Sequence, residues 1–327
     1  MTTLTAPIET ETPILADSGS GYRGGQILFA NDSRFLETHF SEPLTAYAVG
    51  WKDPNNLEET LEFVAPSVEV GRRFEWKKAA NAEEFYSETD DERAIGGDFK
   101  RVEFTGEDVT DKTINKGLTC IVDLDNVAGA NWQQQKTAKL LRRILRNELR
   151  RAVTALTAAA VNANKTWDTT AGLNPDQDIK TELIAAADVS GIRPNRVLFG
   201  DTAWNKRSIA YEAQDNAGGY AAAGLSAEEL ATRLAVDKVL VSRERFQSSA
   251  GAKSQVVGNK VVMYFAEDGV DTEDPSNIKR FVSPVEGGGR VRVYVQQISA
   301  KLVAVTVEHY SKVVVTYTGG IRQLTIS

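Results

Sequence analysis

The side chains best suited to acid–base, nucleophilic or metal chemistry are few in this chain. There are two histidines, His39 and His309, and one cysteine, Cys120. No Gly-x-Ser-x-Gly sequence marks a serine nucleophile, and Cys120 lies inside the apolar run 118–124 without the context of an activated thiol. We therefore expect surface or packing roles for the histidines, a buried and inert cysteine, and no enzymatic activity.

Two short segments resemble ligand-binding loops but lack required residues. Gly287-Gly288-Gly289-Arg290 does not continue into the Gly-Lys-Ser/Thr ending of a phosphate-binding loop. Asp123-Leu124-Asp125-Asn126 begins like a calcium loop, but Ala128 and Gln134 stand where glycine and glutamate are needed. The sequence therefore predicts no cofactor and no metal site.

The formal net charge of −7 is concentrated near the N-terminus. Residues 1–60 contain nine acids against three bases, and residues 1–25 are rich in Thr, Pro, Ser and Gly. Such a segment buries too little apolar surface to order itself. We expect an N-terminal arm over residues 1–60, which either contacts basic patches of neighbouring subunits or is a solvated tail. The acidic balance also argues against nucleic acid as the main ligand.

A long charged stretch predicts a protruding hairpin over about residues 70–104. Leu61–Val70 and Arg72–Trp76 have the composition of extended segments, and Lys100–Phe104 alternates like a returning strand. The polar tip holds the acids of interest, which are Glu83, Glu84, Asp90, Asp91 and Glu92. Because a hairpin with so little apolar surface is marginal alone, it is either a solvated excursion or an arm that lies across a neighbour.

The clearest helical signal runs from about Trp132 to Val161. Apolar residues recur there at helical spacing on one face, and about 30 residues would give a helix on the order of 45 Å long. Basic residues gather on the opposite face, namely Lys139, Arg142, Arg143, Arg146 and Arg150. That face is a solvated surface, a partner for acidic segments of an adjacent subunit, or a surface that faces DNA.

The remaining chain predicts a compact unit and then returning strands. Residues 166–300 alternate short helices and strands, with helix starts at Asn174-Pro175 and at Ser226, where Glu229 completes a capping box. Residues 301–327 predict strands over 302–307 and 313–317 and an extended end. The fold class that follows is α+β.

This order of elements resembles the Hong Kong 97-like capsid fold of tailed-bacteriophage major capsid proteins. The segment Arg193-Pro194-Asn195-Arg196-Val197-Leu198-Phe199-Gly200-Asp201, followed by Trp204, is similar to a phrase of that family's axial domain. The resemblance implies an N-terminal arm (1–60), a peripheral domain (61–165) with an extended loop (about 70–104) and a spine helix (about 132–161). It further implies an axial domain (166–300) and C-terminal strands (301–327) that return to the sheets.

The resemblance also implies a function. A major capsid protein assembles with itself into hexamers and pentamers of an icosahedral shell around double-stranded DNA, with separate scaffolding, portal and decoration proteins as further partners and no membrane. Its location would be the virion capsid, after synthesis in the host cytoplasm. Some relatives crosslink a loop lysine to a neighbour's asparagine, which makes Lys77 and Lys78 the candidates here. The alternatives are an encapsulin-like shell subunit and a soluble enzyme with an unrecognised site.

Overall fold

This computed structural model describes residues 39–78, 92–93, 97, 107–127, 129–268, 275–286 and 289–327. Seven α-helices lie within these ranges, and none of them is long and apolar enough to cross a membrane. The helices are α1 Glu42–Gly50, α2 Leu57–Val64, α3 Trp132–Ala159, α4 Pro175–Ser190, α5 Asp201–Glu212, α6 Ala217–Ala223 and α7 Ala227–Leu234.

Two five-stranded sheets and two strand pairs make up the β structure of the described chain. Sheet A has the order β1-β11-β13-β12, and β4 lies along the other edge of β13. Its strands are β1 Ser67–Glu69, β4 Ile114–Asp123, β11 Ile278–Ser283, β12 Arg292–Gln297 and β13 Leu302–Val315. Sheet B has the order β5-β14-β10-β6-β7. Its strands are β5 Val161–Lys165, β6 Arg196–Gly200, β7 Lys238–Ser242, β10 Lys260–Tyr264 and β14 Arg322–Ile326.

The two separate strand pairs are both antiparallel. Strand β2 (Arg73–Lys78) pairs with β3 (Glu107–Lys112), and this pair is called the ribbon. Strand β8 (Arg245–Ser249) pairs with β9 (Ala252–Gln255), and this pair is called the short hairpin. The ribbon belongs to the stretch in which the sequence predicts a protruding hairpin.

Strand β13 organises sheet A because it has partners on both edges. It pairs with β12 and then β11 along one edge, and with β4 along the other. Side chains alternate between the two faces of a strand, so the buried Val305 and Val307 point to the same side. That side packs against the N-terminal half of α3 through Leu141 and Ile144.

Sheet B is covered on both faces, as its apolar strands require. Leu198 and Val262 share one core with Leu149 and Leu156 of α3. Residues that alternate with them face a second core, formed with helices α4, α5 and α7 and including Val197, Phe199, Met263, Ile179, Leu183, Ala203 and Leu230. Helix α3 therefore packs on sheet A with its first half and on sheet B with its second.

Several predicted elements are confirmed by the structure. Helix α3 begins at Trp132 as expected and ends at Ala159 rather than at Val161, because Val161 starts β5, which pairs with β14. Asn174 caps α4 by accepting a hydrogen bond from the Gln177 N–H, and the capping box of Ser226 and Glu229 is formed. Local signals were thus sufficient for the starts of α4 and α7.

Other predictions were wrong. The segment Leu61–Val70 was expected to be extended, but the chain is helical through Val64. The buried Leu57 and Leu61 lie one helical turn apart on the face that packs against α3, whereas a short apolar run alone is ambiguous between helix and strand. The two strands expected at 302–307 and 313–317 are one continuous strand of 14 residues.

The limits of the predicted N-terminal arm, residues 1–60, stay a prediction, and the burial of its described residues favours an earlier end. Residues 1–38 lie outside the described ranges, but the part from 42 to 60 belongs to the body. Leu44 of α1 and Leu57 of α2 are 5% and 0% exposed, respectively. Phe40 forms a β-bridge with Tyr294, so the described chain begins at the edge of sheet A.

The predicted domain limits at 165 and 300 stay a prediction, and the sheets favour different ones. Strands β11 and β12 lie on the axial side of residue 300 in sequence, yet they pair in sheet A with β13. Strand β5 lies before 165, yet it belongs to sheet B. A division by sheets assigns 278–315 to the peripheral unit and 161–165 to the axial unit.

Candidate subunit interface

The ribbon leaves the body through a collar of polar contacts. Thr113, the residue between β3 and β4, donates its N–H to the Arg72 carbonyl at 3.0 Å. The hydroxyl oxygens of Thr113 and Ser283 lie 2.7 Å apart, and Ser283 donates to the Gly71 carbonyl at 3.0 Å. The Arg72 guanidinium lies 4.4 Å from the centre of the Tyr310 ring. These contacts set the direction in which the ribbon departs from sheet A.

A small apolar cluster anchors the first part of the ribbon. Phe74 and Trp76 of β2 are 8% and 6% exposed and pack with Val68 and Phe281. The rings of Phe74 and Phe281 lie 4.4 Å apart between centroids. A two-stranded pair is marginal alone, and this small cluster supplies part of the burial that the ribbon needs.

A buried carboxylate joins the spine helix α3 to sheet A. Glu148 is 1% exposed and lies on the apolar face of the helix. Its Oε1 accepts from Lys116 Nζ of β4 at 2.8 Å, and its Oε2 accepts from Ser311 Oγ of β13 at 2.8 Å. Arg151, one turn further along α3, donates to the same carboxylate. A buried charge is tolerated when it is paired and hydrogen-bonded in this way.

The surroundings of Glu148 and Lys116 lower the pKa of both side chains. Burial by itself would raise the pKa of Glu148, but the neighbouring His309 and the Lys116 ammonium hold the pKa below its ordinary value. The contact with His309 is longer than a hydrogen bond, at 3.8 Å. Burial lowers the pKa of Lys116, only partly offset by Glu148. Glu148 is therefore ionised at neutral pH.

A cavity of about 110 Å³ lies beside this cluster. Its walls include the apolar Trp51, Leu141 and Ile144, and its polar side includes Arg280 and His309. Neither ring nitrogen of His309 has a hydrogen-bond partner among the described residues. The predicted packing role of His309 is consistent with its 8% exposure, although it lies within β13 and not between two strands.

The sequence prediction did not single out the role of Glu148. A signal was present, because Glu148 follows Leu141 and Leu145 on the apolar stripe of the helix and precedes Ala152 and Leu156. An acid in such a stripe must be buried with partners. The partners Lys116 and Ser311 are 32 and 163 residues away in sequence, so only the fold identifies them.

Three of the five predicted basic residues of α3 make contacts within the chain. Arg142 Nε lies 2.6 Å from Asp53, and Arg146 Nη2 lies 3.2 Å from Glu244. The Arg150 guanidinium lies 4.1 Å from the centre of the Phe246 ring. Lys139 and Arg143 are exposed and form no ion pair within the described residues. They stay candidates for contact with a neighbour.

The predicted loop residues fall mostly outside the described ranges. Glu83, Glu84, Asp90 and Asp91 lie outside the described ranges, while Glu92 is exposed. Of the crosslink candidates, Lys78 ends β2 and is exposed. Lys77 also lies on β2, and its side chain is outside the described set. Their role in intersubunit contact or crosslinking stays a prediction.

Cys120 and the histidines form no site together. Cys120 pairs with Val305 in sheet A and is partly buried, less than predicted. Within the described ranges, no three His, Cys, Asp or Glu side chains come close enough to hold a metal ion.

Comparison with known proteins is informative at the level of structure. No protein-family model and no curated protein sequence matches the chain. The structure is similar to that of a phage-related protein from Bordetella bronchiseptica RB50, with a TM-score of 0.64 and 17% identity. That likeness covers 88% of this chain and 96% of the other. At this identity it shows the fold alone, and the predicted α+β class is confirmed as the fold that this chain shares with that phage-related protein.

Looser likenesses accompany this one. A putative capsid protein of a prophage of E. coli CFT073 has a TM-score of 0.47 at 11% identity, covering 88% of this chain and 99% of the other. The capsid of the Myoviridae phage XM1 has a TM-score of 0.47 at 12% identity, covering 82% of this chain and 91% of the other. At these TM-scores neither likeness adds to the first.

Proposed function

We propose that this protein is the major capsid protein of a tailed bacteriophage, with a structural rather than an enzymatic role. Copies would assemble into hexamers and pentamers and then into an icosahedral shell around double-stranded DNA. The protein would be made in the host cytoplasm and located in the virion capsid. The observation that carries the proposal is the ribbon, which extends from the body on a small anchor and has no second sheet to complete it among the described elements.

The ribbon makes sense when a second copy supplies burial. Its strands β2 and β3 pair only with each other among the described elements. The polar contacts at Arg72 and Thr113 fix the direction in which the ribbon leaves sheet A. A fixed direction is needed if the ribbon is to reach one particular place on a neighbouring subunit. Contacts of this head-to-tail kind close around symmetry axes into rings. The shared fold with a phage-related protein supports the same conclusion.

The charges suggest where neighbours meet. The acids Glu83, Glu84, Asp90, Asp91 and Glu92 are proposed to reach a neighbouring subunit. Lys139 and Arg143, which are exposed and form no ion pair within the described residues, are the bases of α3 best placed to receive them. Scaffolding, portal and decoration proteins are further proposed partners.

Electron microscopy and sedimentation of the purified full chain test the proposal. Shells, hexamers or pentamers are expected, and a chain that stays monomeric at high concentration would refute the proposal. DNA inside native particles would support a virion, whereas an enzyme cargo would identify an encapsulin-like compartment instead.

The loop contacts have their own test. Replacing Glu83, Glu84, Asp90, Asp91 and Glu92 with their amides should leave folding intact and impair assembly. A matched control replaces five exposed acids elsewhere, which are Asp188, Glu212, Glu228, Asp237 and Glu267. Equal assembly of both variants would show that the loop acids do not mediate contact.

A further inference from the structure

The spine helix carries a charge opposite to that of the rest of the chain. Helix α3 holds seven of the 38 basic residues and one of the 45 acids, so the remaining chain has 31 bases against 44 acids. The single acid, Glu148, is 1% exposed and neutralised by Lys116 and Arg151. The charged residues on the solvent-facing side of the helix are therefore all basic, within an acidic protein.

The short hairpin extends this basic surface beyond the helix. Arg146 pairs with Glu244, and Arg150 stacks on Phe246, so the hairpin lies against the C-terminal half of α3. The hairpin and its approach add Arg243, Arg245 and Lys253 to the bases of the helix. The resulting patch is called the arginine surface and consists of Arg146, Arg150, Arg151, Arg243, Arg245 and Lys253.

The acids near the arginine surface are less exposed than its bases. Arg151, Arg243 and Arg245 have side chains that are 51%, 75% and 48% exposed. Their ion-pair partners Glu148 and Asp201 are 1% and 30% exposed, and Glu244 is 14% exposed. An approaching ligand therefore meets guanidinium groups first, and the field at this surface is positive.

The arginine surface lacks what a protein interface needs. Such an interface has an apolar core inside a polar rim. The large hydrophobic side chains that are exposed in the described chain all lie outside α3 and outside residues 243–255. The backbone of a nucleic acid is instead held by charge with little apolar burial, and guanidinium groups suit phosphate.

We propose that the arginine surface binds the phosphate backbone of double-stranded DNA without sequence specificity, and so faces the contents of the shell. The inference rests on the proposed function, because a capsid protein encloses DNA, and this DNA is the polyanion that the inference assigns to the arginine surface. The inference also assigns an orientation, in which the C-terminal half of α3 and the short hairpin face the inside of the shell. The acidic remainder of the chain would repel DNA, which confines contact to this one surface.

Fluorescence anisotropy of the full chain, kept below its assembly concentration, with a labelled 20-base-pair duplex tests the inference. The variant R150Q/R243Q should bind at least about tenfold more weakly near 0.1 M salt, with the slope of log affinity against log salt smaller by about two. The control K52Q/K301Q removes the same charge from exposed lysines elsewhere and should change affinity by less than about twofold. The variant R150K/R243K should retain most of the binding.

Several results would overturn the inference. They are no binding by the wild type, equal losses in R150Q/R243Q and K52Q/K301Q, or a loss of binding to a peptide of residues 81–93 in R150Q/R243Q that exceeds the loss of binding to DNA, which would mark the arginine surface as a protein interface. Electron microscopy of the same proteins separates the two proposals. If R150Q/R243Q forms shells and binds DNA as tightly as the wild type, only the inference about the arginine surface is refuted. If the wild-type chain binds DNA through the arginine surface but never assembles, only the proposed function is refuted.

Discussion

Two buried carboxylates, Glu148 in α3 and Asp176 in α4, are stabilised by different kinds of partner. Asp176 is 2% exposed and accepts two hydrogen bonds from Arg207, at 2.7 and 3.1 Å. Arg233 pairs with its second oxygen at 2.8 Å. Glu148 instead gathers Lys116 and Ser311 from two strands of sheet A. Both anions are satisfied, but by partners that differ in burial and in distance along the chain.

The cations around the two carboxylates differ in burial, so the free energy lost on removing each carboxylate should differ. Arg207 is 0% exposed, so it cannot reach water if Asp176 is lost. Arg151, in contrast, is 51% exposed, and Lys116 is 16% exposed. The Asp176 cluster lies inside the helical layer on sheet B and includes a fully buried cation, Arg207, although its second cation, Arg233, is 41% exposed. The Glu148 cluster is a joint between layers with one side open to solvent, so it should tolerate damage better.

The largest effect is expected for Asp176→Asn. It leaves the fully buried Arg207 without a carboxylate, which should lower the free energy of unfolding by about 3–5 kcal/mol. Urea denaturation followed by circular dichroism measures this. The control Asp188→Asn, at an exposed position of the same helix, should change stability by less than about 0.5 kcal/mol. A loss below about 1 kcal/mol for Asp176→Asn would show that the buried Arg207 does not depend on the Asp176 carboxylate.

Glu148→Gln should cost less, about 2–3 kcal/mol, because its cations can turn toward water. The glutamine side chain keeps the shape of the glutamate and can still accept from Lys116, but it no longer balances two charges. The same urea titration applies, with the exposed Glu58→Gln as the control. A loss equal to that of Asp176→Asn would mean that partner exposure does not decide the cost.

The stability that Glu148 contributes should depend on pH in the acid range. Its folded pKa lies below its ordinary value, so its contribution is complete above the unfolded pKa, about 4.3, and declines as the pH falls toward the folded pKa. Free energies of unfolding at pH 7, 5 and 3 for the wild type and Glu148→Gln measure this. The difference should be the same at pH 7 and 5 and smaller at pH 3. A difference that grows on acidification would contradict the assigned sign.

The two clusters also show what the sequence could predict. Asp176 follows Asn174-Pro175 in the first turn of α4, where acids are favoured, and the start of that helix was predicted. The spine helix, the helix caps and the fold class could be read from local patterns of the same kind. Glu148 was visible as an acid in an apolar stripe, but nothing local indicates that Lys116 and Ser311 complete it.

Sheet membership was less predictable for a related reason. Strands β11 and β12 carry ordinary strand patterns, but their assignment to sheet A depends on pairing with β13. The start of β5 was predicted as the end of the spine helix. In the structure it is a strand because it pairs with β14, near the C-terminus. Pairing between strands far apart in sequence decides which sheet each strand joins, and the periodicity of apolar residues does not predict that pairing. The basic face of α3 was predicted, but its extension by the short hairpin was not.

The smallest effect is expected where an ion pair lies wholly at the surface. Lys301 and Asp125 pair at the tip of sheet A, with side chains that are 65% and 63% exposed. Lys301→Gln should lower the free energy of unfolding by about 0.2–1 kcal/mol, and less at about 0.5 M salt, because water and ions screen exposed charges. Thermal unfolding at two salt concentrations measures this, with the exposed Lys52→Gln as the control. Together with Asp176→Asn and Glu148→Gln, this variant would complete a series in which the loss of unfolding free energy follows the burial of the partner charge. A loss for Lys301→Gln that exceeds the loss for Glu148→Gln would contradict that trend.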